Sequence, residues 1–462
     1  MQLNIALFVA GLALVSTSSS REPAPLEQDS GRTQRAPNIV LILADDAGFA
    51  DFGFQREPDS ALARRTPNID RIAQEGARFD SFAMSGCVCS PSRAGLLTGR
   101  YQQRFGHERN IPPGYMKGGL DLNQVTIADR LRALGYRTAC IGKWHLGYPK
   151  PYQPLERGFD HFYGLLQGSR SYYPIEAPSA HRVLLNDREP TEEVGYVTDR
   201  LGDAAIRFIQ ANQDEPFFLY LSFTAPHGPL EPKSEDLEAL ADIEGLRRRK
   251  YAGLVKAMDD NVGRVLAELE RLHLDEDTLV VFTNDNGGQT STGALNAPLR
   301  GRKGDVFEGG MRVPTAWRWP KRIPKGTTVA TPAIALDLAP TFLAAARIDA
   351  PPDRSLEGAL DGVDLLPLVT GQSTALPERA LYWRTSGPAG PIAVRQGRWK
   401  LVWLRDTSSA PMLFDLTSDL GESHDLAELH PDHVARLIAL AAAWEAELEA
   451  PRWGGDGATD PK

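Results

Sequence analysis

The chain has 462 residues, enough for a large catalytic domain with a smaller companion domain. With 42% hydrophobic and 24% charged residues, it has the composition of a protein that can bury a sizeable core. A formal net charge of −9 argues against non-specific binding to nucleic acid or to an anionic membrane, and three cysteines are too few for a disulfide-stabilised fold.

The first 36 residues are typical of an export signal followed by a linker. The apolar run from Ile5 to Val15 is too short to span a bilayer and is followed by small residues. We therefore predict a signal peptide at residues 1–20, a flexible polar leader at residues 21–36 and no membrane span. The protein is expected to be exported, either to a periplasm or out of the cell.

The segment 89–100 reads Cys-Ser-Pro-Ser-Arg-Ala-Gly-Leu-Leu-Thr-Gly-Arg and predicts the start of a helix. Pro91 suits the first helical turn, where its missing N–H is not needed, and Ser90 is expected to cap that turn. Cys89 would then lie at the positive end of the helix dipole, with Arg93 one turn further on. These features predict a nucleophile that handles an anion; the ordinary alternative is a capped helix with a half-buried thiol.

This segment resembles the signature of type I, formylglycine-dependent sulfatases, which belong to the alkaline phosphatase superfamily. In that family the cysteine at the position of Cys89 is oxidised to formylglycine, and the modifying enzyme reads a proline and an arginine, present here as Pro91 and Arg93. Matching stretches run from Asn38 to the region 413–416. The resemblance implies an alkaline phosphatase-like fold and a formylglycine-generating enzyme as a maturation partner.

Four apolar runs end in side chains that can take part in chemistry. The runs alternate with helical patterns, which indicates a large, mostly parallel sheet sandwiched by helices. Because ligands in open α/β sheets lie at the carboxyl ends of the strands, we expect the side chains after the runs to share one edge. The runs and side chains are 38–44 with Asp45 and Asp46, 137–141 with Lys143 and His145, 217–223 with His227, and 278–283 with Asp285 and Asn286.

Each of these strand ends, taken alone, also has an ordinary explanation, since Asp-Asp often caps a helix and Asp-Asn-Gly is a common turn. Together they favour a site, and their oxygen ligands select a hard cation such as Ca²⁺ or Mg²⁺ over zinc. The resemblance implies the same, because sulfatases bind one divalent ion, usually calcium. The ligands it implies are Asp45, Asp46, Asp285, Asn286 and the modified Cys89.

The resemblance further implies a role for each remaining polar side chain of the site. Hydrated formylglycine at Cys89 would attack the sulfur atom of a sulfate ester, and its second hydroxyl would then expel sulfate. Arg93 would orient the hydrate and neutralise charge, while Lys143 would hold the sulfate and the hydrate. His145 would deprotonate the second hydroxyl.

Two further residues are implied at the leaving-group oxygen. Lys303 lies in a Gly-rich basic segment, 299–314, which alone would be interpreted as a solvated loop. In the resemblance it matches a catalytic lysine of sulfatases. His227 would contact the same oxygen and act as the general acid.

The chain after residue 375 changes to short strands with an antiparallel pattern. We predict strands at 380–384, 392–395, 399–404 and 412–416, and a helix at 431–448. The catalytic domain is therefore placed at 37–375 and a C-terminal subdomain, a small antiparallel sheet with one helix, at 376–462.

The substrate is predicted to be a sulfated carbohydrate or an aryl sulfate. Arginine and tyrosine side chains in loops suit a charged sugar through bidentate pairing and stacking, although each is equally well explained as an ordinary surface residue. The candidates are His107, Arg109, Arg170, Tyr172, Arg300 and Arg302.

Two alternative functions stay open at this point. A phosphonate monoester or phosphodiester hydrolase of the same superfamily would keep the fold and change the substrate. A sulfated-glycan-binding protein without turnover would follow if Cys89 remains a thiol.

Overall fold

The computed structural model describes residues 1–2, 35–347, 360–406 and 409–454. Apart from residues 1–2 and 35–36, the predicted signal peptide and leader lie outside these residues. The described residues from Ala36 onward form one compact unit. Across the described ranges, every helix is too short or too polar to cross a bilayer.

The strands of the described residues form three sheets. In chain order they are β1 (Asn38–Ala44), β2 (Ala77–Phe79), β3 (Phe82–Ala83), β4 (Arg137–Lys143), β5 (His161–Leu165), β6 (Leu185–Asn186), β7 (Glu189–Pro190), β8 (Phe217–Ser222), β9 (Thr278–Asn284), β10 (Thr315–Arg318), β11 (Thr327–Val329), β12 (Ala333–Ile334), β13 (Ala380–Arg384), β14 (Ile392–Gln396), β15 (Trp399–Trp403) and β16 (Met412–Asp415).

The large sheet has the order β11-β2-β10-β9-β1-β8-β4-β5-β6-β7 within the described residues. Its five neighbouring strands β9, β1, β8, β4 and β5 are parallel, whereas β10 is antiparallel to β9 and β6 is antiparallel to β5. The register aligns the strand ends, because Ala44 of β1 pairs with Asn284 of β9 and Ser222 of β8 pairs with Gly142 of β4. The predicted mixed, mostly parallel sheet is confirmed.

Helices cover both faces of this sheet. They are α1 (Pro67–Gln74), α2 (Cys89–Thr98), α3 (Ile127–Ala133), α4 (Val197–Ala211), α5 (Ser234–Ala239), α6 (Leu246–Arg271), α7 (Glu308–Met311), α8 (Leu338–Ala346), α9 (Leu366–Val369) and α10 (Pro431–Glu445). Alternate residues of β1 explain the two layers: Leu41 packs in one hydrophobic cluster with α2, α3 and α8, and Ile42 packs in another with α1, α4 and α6. Because strand side chains alternate between faces, a strand apolar at every position must be covered on both sides.

The C-terminal part forms an antiparallel sheet in the order β13-β14-β15-β16, with α10 packed on β14 and β15. Its apolar side chains share a third hydrophobic cluster with Val306, Phe307 and Met311 of the segment before and within α7. The fold class predicted from sequence is therefore confirmed in both of its sheets.

The predicted cap of α2 differs from the structure. The residue before α2 is Val88, and Ser90 lies inside the helix, where its hydroxyl donates to the carbonyl of His145 instead of capping the first turn. A polar atom from elsewhere in the fold thus competes for the hydroxyl.

Candidate active site

The ends of β1, β4, β8 and β9 bring the predicted side chains to one edge of the large sheet. Asp46 and His145, which follow β1 and β4, have φ of 68° and 60°. This left-handed conformation is uncommon for non-glycine residues and is often found where function fixes a side chain. It turns the chain sharply at the point where each strand reaches the edge.

Cys89 begins α2 next to this edge. Its Sγ lies 3.6 Å from Oδ1 of Asp45, 3.9 Å from Oδ1 of Asp46 and 3.1 Å from Nζ of Lys303. Burial raises the pKa of the Cys89 thiol to about 12, with Asp285 adding to the effect. The unmodified side chain is therefore a neutral thiol near pH 7, which is a poor nucleophile and a poor ligand for a hard cation.

Three carboxylates and three cations surround Cys89, and we call these seven residues the strand-end cluster. Lys143 Nζ lies 2.6 Å from Oδ2 of Asp45. The other two pairs are Lys303 with Asp46, at 2.7 Å, and Arg93 with Asp285, where Nη2 and Nε lie 2.9 and 3.1 Å from Oδ2. Arg93, Lys143, Asp45 and Asp285 are fully buried.

The cations set the charge state of these acids. Burial alone would raise the pKa of Asp285, but Arg93 and Lys143 outweigh it and hold that pKa well below its usual range. Burial is likewise outweighed at Asp46, chiefly by Lys303, so the pKa of Asp46 is lowered. The pKa of Asp45 is raised by burial and by its neighbour Asp285. The cluster therefore keeps anionic oxygen next to Cys89.

The residues present fit a divalent cation. Single ligand atoms of Asp45, Asp46, Cys89 and His227 lie within 4.8 Å of one another. The Nδ2 amide of Asn286 donates to Oδ1 of Asp46 at 2.8 Å, whereas its buried Oδ1 has no hydrogen-bond partner in the described part of the chain. A buried acceptor without a donor, beside carboxylates, is what a hard cation would satisfy.

A cleft of about 240 Å³ opens above Cys89. It is lined by Cys89, Asn110, Ile111, Pro112, Pro113, His145, Tyr148, Gln167, Gly168, Ser169, His227 and Lys303. The side chains of His227 and Lys303 are 25% and 12% exposed, so they connect the buried cluster to solvent. A larger groove of about 700 Å³ lies at the opposite end of β4 and β5, next to Arg137 and His161, and contains no residue of the strand-end cluster.

Two residues predicted to bind substrate face inward instead of lining this cleft. His107 Nε2 lies 2.7 Å from Oγ of Ser90, and burial lowers the pKa of His107 to about 3. The Tyr172 hydroxyl is buried 2.8 Å from the carbonyl oxygen of His227. Both side chains are therefore buried next to residues close to the site, His107 next to Ser90 and Tyr172 next to His227.

The four predicted arginines also lie outside the cleft lining of the described residues. Arg170 is buried in an ion pair with Glu193, at 2.5 Å. Arg109 and Arg300 each donate to a backbone carbonyl of the C-terminal part, and Arg302 is exposed in the turn before Lys303. Direct contact of the six candidates with a substrate stays a prediction.

Other cleft residues were missed by the sequence analysis. Gln167, Gly168 and Ser169 follow β5, a fifth parallel strand next to β4, and Gly168 packs directly against the His145 ring. The apolar run of β5 was a usable signal, because its carboxyl end must lie at the same edge. Asn110, whose Oδ1 accepts from the Ser90 backbone N–H at 2.9 Å, gave no such signal.

Comparisons with known proteins agree with this architecture. The family profile for sulfatases matches residues 37–348, and one described as N-sulphoglucosamine sulphohydrolase, C-terminal, matches residues 302–439. Steryl-sulfatase of Mus musculus is 30% identical over 98% of this chain and 91% of its own length. N-acetylgalactosamine-6-sulfatase of Canis lupus familiaris is 34% identical, with 81% and 73% covered. The crystal structure of Ps i-CgsB in complex with k-i-k-neocarrahexaose has a TM-score of 0.84 at 32% identity, covering 92% of this chain and 96% of that one.

Proposed function

The chain belongs to the sulfatase family and is a sulfuric ester hydrolase, and we propose that it acts through formylglycine made from Cys89 beside one bound divalent cation. The observation that carries this proposal is the position of Cys89. Its Sγ lies 3.1 to 3.9 Å from the ammonium group of Lys303 and from the carboxylates of Asp45 and Asp46, the two residues that follow β1. A structural thiol has no need of such surroundings.

The cation would be held by Asp45, Asp46, Asp285 and Asn286 together with the modified Cys89. When bound, it supplies Lewis acidity and positive charge, which suits Ca²⁺ or Mg²⁺ with these oxygen ligands. Hydrated formylglycine supplies one hydroxyl as nucleophile toward sulfur and a second whose deprotonation expels sulfate.

The cations of the cluster hold the anionic ester in place. Arg93 is fixed by Asp285 and by the Lys143 carbonyl, at 3.0 Å, so its guanidinium orients the group at Cys89 without rearranging. Lys143 carries positive charge that offsets the negative charge of the sulfate oxygens, and Lys303 contacts the leaving-group oxygen. Such preorganised charge stabilises negative charge that grows in the transition state.

Two histidines are placed to move protons. His145 is buried against Gly168, its pKa is lowered well below the usual value by burial and nearby cations, and its Nδ1 has no partner among the described residues. It is therefore neutral and can accept a proton from a hydroxyl at Cys89. His227 donates through Nδ1 to the Gly228 carbonyl at 2.6 Å. In the imidazolium form it also carries a proton on Nε2, which it can give to the leaving-group oxygen.

The substrate is proposed to be a sulfated carbohydrate. Ps i-CgsB, with which this chain shares fold and 32% identity, is solved with a neocarrahexaose bound. The cleft combines neutral polar and apolar side chains, such as Asn110, Gln167 and Tyr148, around the charged groups, which suits a sugar ring carrying one sulfate at Cys89. Export, proposed from the apolar run at residues 5–15, would bring the enzyme to such polymers.

The decisive experiment combines mass spectrometry with kinetics on the same preparation. The peptide containing residues 79–93 should carry an aldehyde in place of the Cys89 thiol, and the protein should hydrolyse 4-nitrophenyl sulfate. Aldehyde with faster turnover of an aryl phosphonate ester would instead assign the phosphonate hydrolase alternative. An unmodified thiol in active enzyme would refute the proposed nucleophile, and an unmodified thiol with glycan binding alone would indicate a binding protein.

A further inference from the structure

The segment 300–308 carries Lys303 to the site. Two backbone hydrogen bonds hold its middle, from the Lys303 N–H to the Gly288 carbonyl at 3.3 Å and from the Gly304 N–H to the Cys87 carbonyl at 2.8 Å. Lys303 Nζ lies 2.7 Å from Oδ2 of Asp46 and 3.1 Å from Sγ of Cys89. Gly301 and Gly304 on either side of it have φ of 87° and 94°. Glycine permits this conformation and also leaves the backbone free to adopt others. The two ends of the segment must therefore be held by further contacts with the fold.

Glu422, in the chain between β16 and α10, contacts both ends of this segment. Its Oε2 accepts from the Glu308 backbone N–H at 2.7 Å, and its carbonyl oxygen accepts from Nη1 of Arg300 at 2.9 Å. Arg300 in turn lies 4.0 Å over the ring of Phe307. Glu422 is fully buried with φ of 51°, a costly conformation for glutamate that persists only where surrounding contacts impose it.

Lys400 of β15 balances the acids at this contact. Its Nζ lies 2.9 Å from Oε1 of Glu308 and 2.7 Å from Oε1 of Glu422, and Arg312 Nε lies 2.5 Å from the other oxygen of Glu308. We call these four residues the subdomain cluster. Lys400 and Glu422 are wholly excluded from solvent, so removing the Lys400 charge deprives the buried Glu422 carboxylate of this ion pair.

We propose that Glu422 and Lys400 are positioning residues for Lys303. Neither touches the cleft; they act by fixing Glu308 and Arg300, the two ends of the segment that carries the lysine. The small C-terminal sheet is thereby part of the catalytic apparatus. The proposal rests on the proposed function of the strand-end cluster, in which Lys303 acts on the sulfate ester.

A double-mutant cycle tests this coupling with 4-nitrophenyl sulfate as the probe. Glu422→Gln keeps the shape of the side chain and removes its charge, and should lower kcat about tenfold to a hundredfold, because an ångström-scale displacement of a catalytic group has effects of this size. KM should change less than about threefold, since ground-state binding is not removed. In a Lys303→Met background the same substitution should cause no further loss of kcat.

The matched control is Arg398→Gln, which breaks an ion pair with Asp415 in the same small sheet, away from the segment 300–308. It should leave kcat within about twofold, as expected for a surface substitution. A role of Glu422 in overall stability alone would lower activity to the same degree with or without Lys303, whereas positioning makes its effect depend on that lysine.

Equal loss of kcat from Glu422→Gln in both backgrounds overturns the proposal. If Glu422→Gln does not fold, Arg300→Gln enters the same cycle, because Arg300 is exposed and its loss releases one end of the segment only. It should lower kcat less than Glu422→Gln is expected to, again only when Lys303 is present, and additivity here overturns the proposal equally. Failure of the unsubstituted enzyme to hydrolyse the probe would overturn the proposed function itself, a separate outcome.

Discussion

The strand-end cluster and the subdomain cluster are both buried groups of paired acids and bases, yet only one has the features of an active site. In the subdomain cluster the two carboxylates and two cations face one another, and Lys400 and Glu422 have no exposed surface. Beside the strand-end cluster, Asn286 Oδ1 lacks a partner among the described residues, and Lys303 of the cluster lines a cleft together with His227. Buried charge alone therefore does not mark a site; the opening to solvent distinguishes this cluster.

The largest expected effect concerns the nucleophile. Cys89→Ala should lower kcat/KM for an aryl sulfate by at least about 10⁴-fold, because removal of a nucleophile leaves only binding and charge stabilisation. Thermal unfolding should change little by comparison. Cys87→Ala is the matched control: Cys87 is buried to the same degree, 1% exposed, but packs in the third hydrophobic cluster, so activity should persist. Activity of Cys89→Ala close to that of the unsubstituted enzyme would contradict the assignment.

The second-largest expected effect is the response to metal, which should involve the strand-end cluster and not the subdomain cluster. Treatment with EDTA should abolish activity and lower the unfolding temperature, and Ca²⁺ or Mg²⁺ should restore both. A ligand at a hundred times its Kd stabilises the folded state by about 2.7 kcal/mol. Asn286→Ala should reduce this metal-dependent shift, measured by calorimetry, whereas Glu422→Gln should keep it because its cluster is already neutralised by Lys400 and Arg312. An unchanged shift in Asn286→Ala would exclude that residue as a ligand.

Lysine-to-methionine substitutions should have opposite consequences in the two clusters. Lys400→Met should lower the free energy of unfolding by about 3–5 kcal/mol, because two buried carboxylates lose their shared partner. Lys303→Met should cost less stability, since His227 and Asn286 also contact Asp46, but should slow turnover by about 10²–10³-fold. Urea unfolding measures the loss of stability of each variant, and steady-state kinetics measure its loss of activity. The same ratio of stability loss to activity loss in both variants would show that the two clusters do not differ in function.

The smallest effect tests a buried acid without an ion pair to a cation in the described part of the chain. Asp259 of α6 accepts from the Asn68 and Ile69 backbone N–H groups at the start of α1, and burial raises its pKa to about 7. The folded state thus binds this proton more tightly than the unfolded chain, whose aspartate pKa is about 3.9. This contribution to stability is complete below that value and is lost as pH rises through about 7.

The free energy of unfolding, measured by urea titration in steps across this range, should therefore fall with rising pH, and Asp259 contributes up to about 1.4 kcal/mol per pH unit. Asp259→Asn should flatten the dependence and leave a smaller slope from Asp70, whose pKa burial raises to about 6. A pH dependence identical to that of the unsubstituted protein would show that the Asp259 carboxyl does not titrate in this range.

Much of the site could be predicted because its chemistry is carried by local patterns. The period and length of the apolar runs predicted β1, β13 and the helix α10 nearly to their observed ends. This is possible because the positions of buried residues in a strand or helix produce a regular pattern of apolar residues in the sequence. The parallel arrangement then required Asp45 and Asp285, at the ends of neighbouring strands, to meet. Cys89 was predicted as the nucleophile from the pattern of the residues that follow it, 90–100.

The sequence by itself determined which side chains stand at strand ends and helix starts, because those positions depend on neighbours only a few residues away. The tertiary structure decided which of them reach the cleft and which contact other parts of the protein. Arg170 forms an ion pair with Glu193, Ser90 contacts His107, and Glu422 accepts from the Glu308 backbone N–H. These contacts join residues 17 to 114 positions apart, and no local period encodes them. Burial of polar atoms makes such partners obligatory, but only the folded chain shows which partner each atom receives.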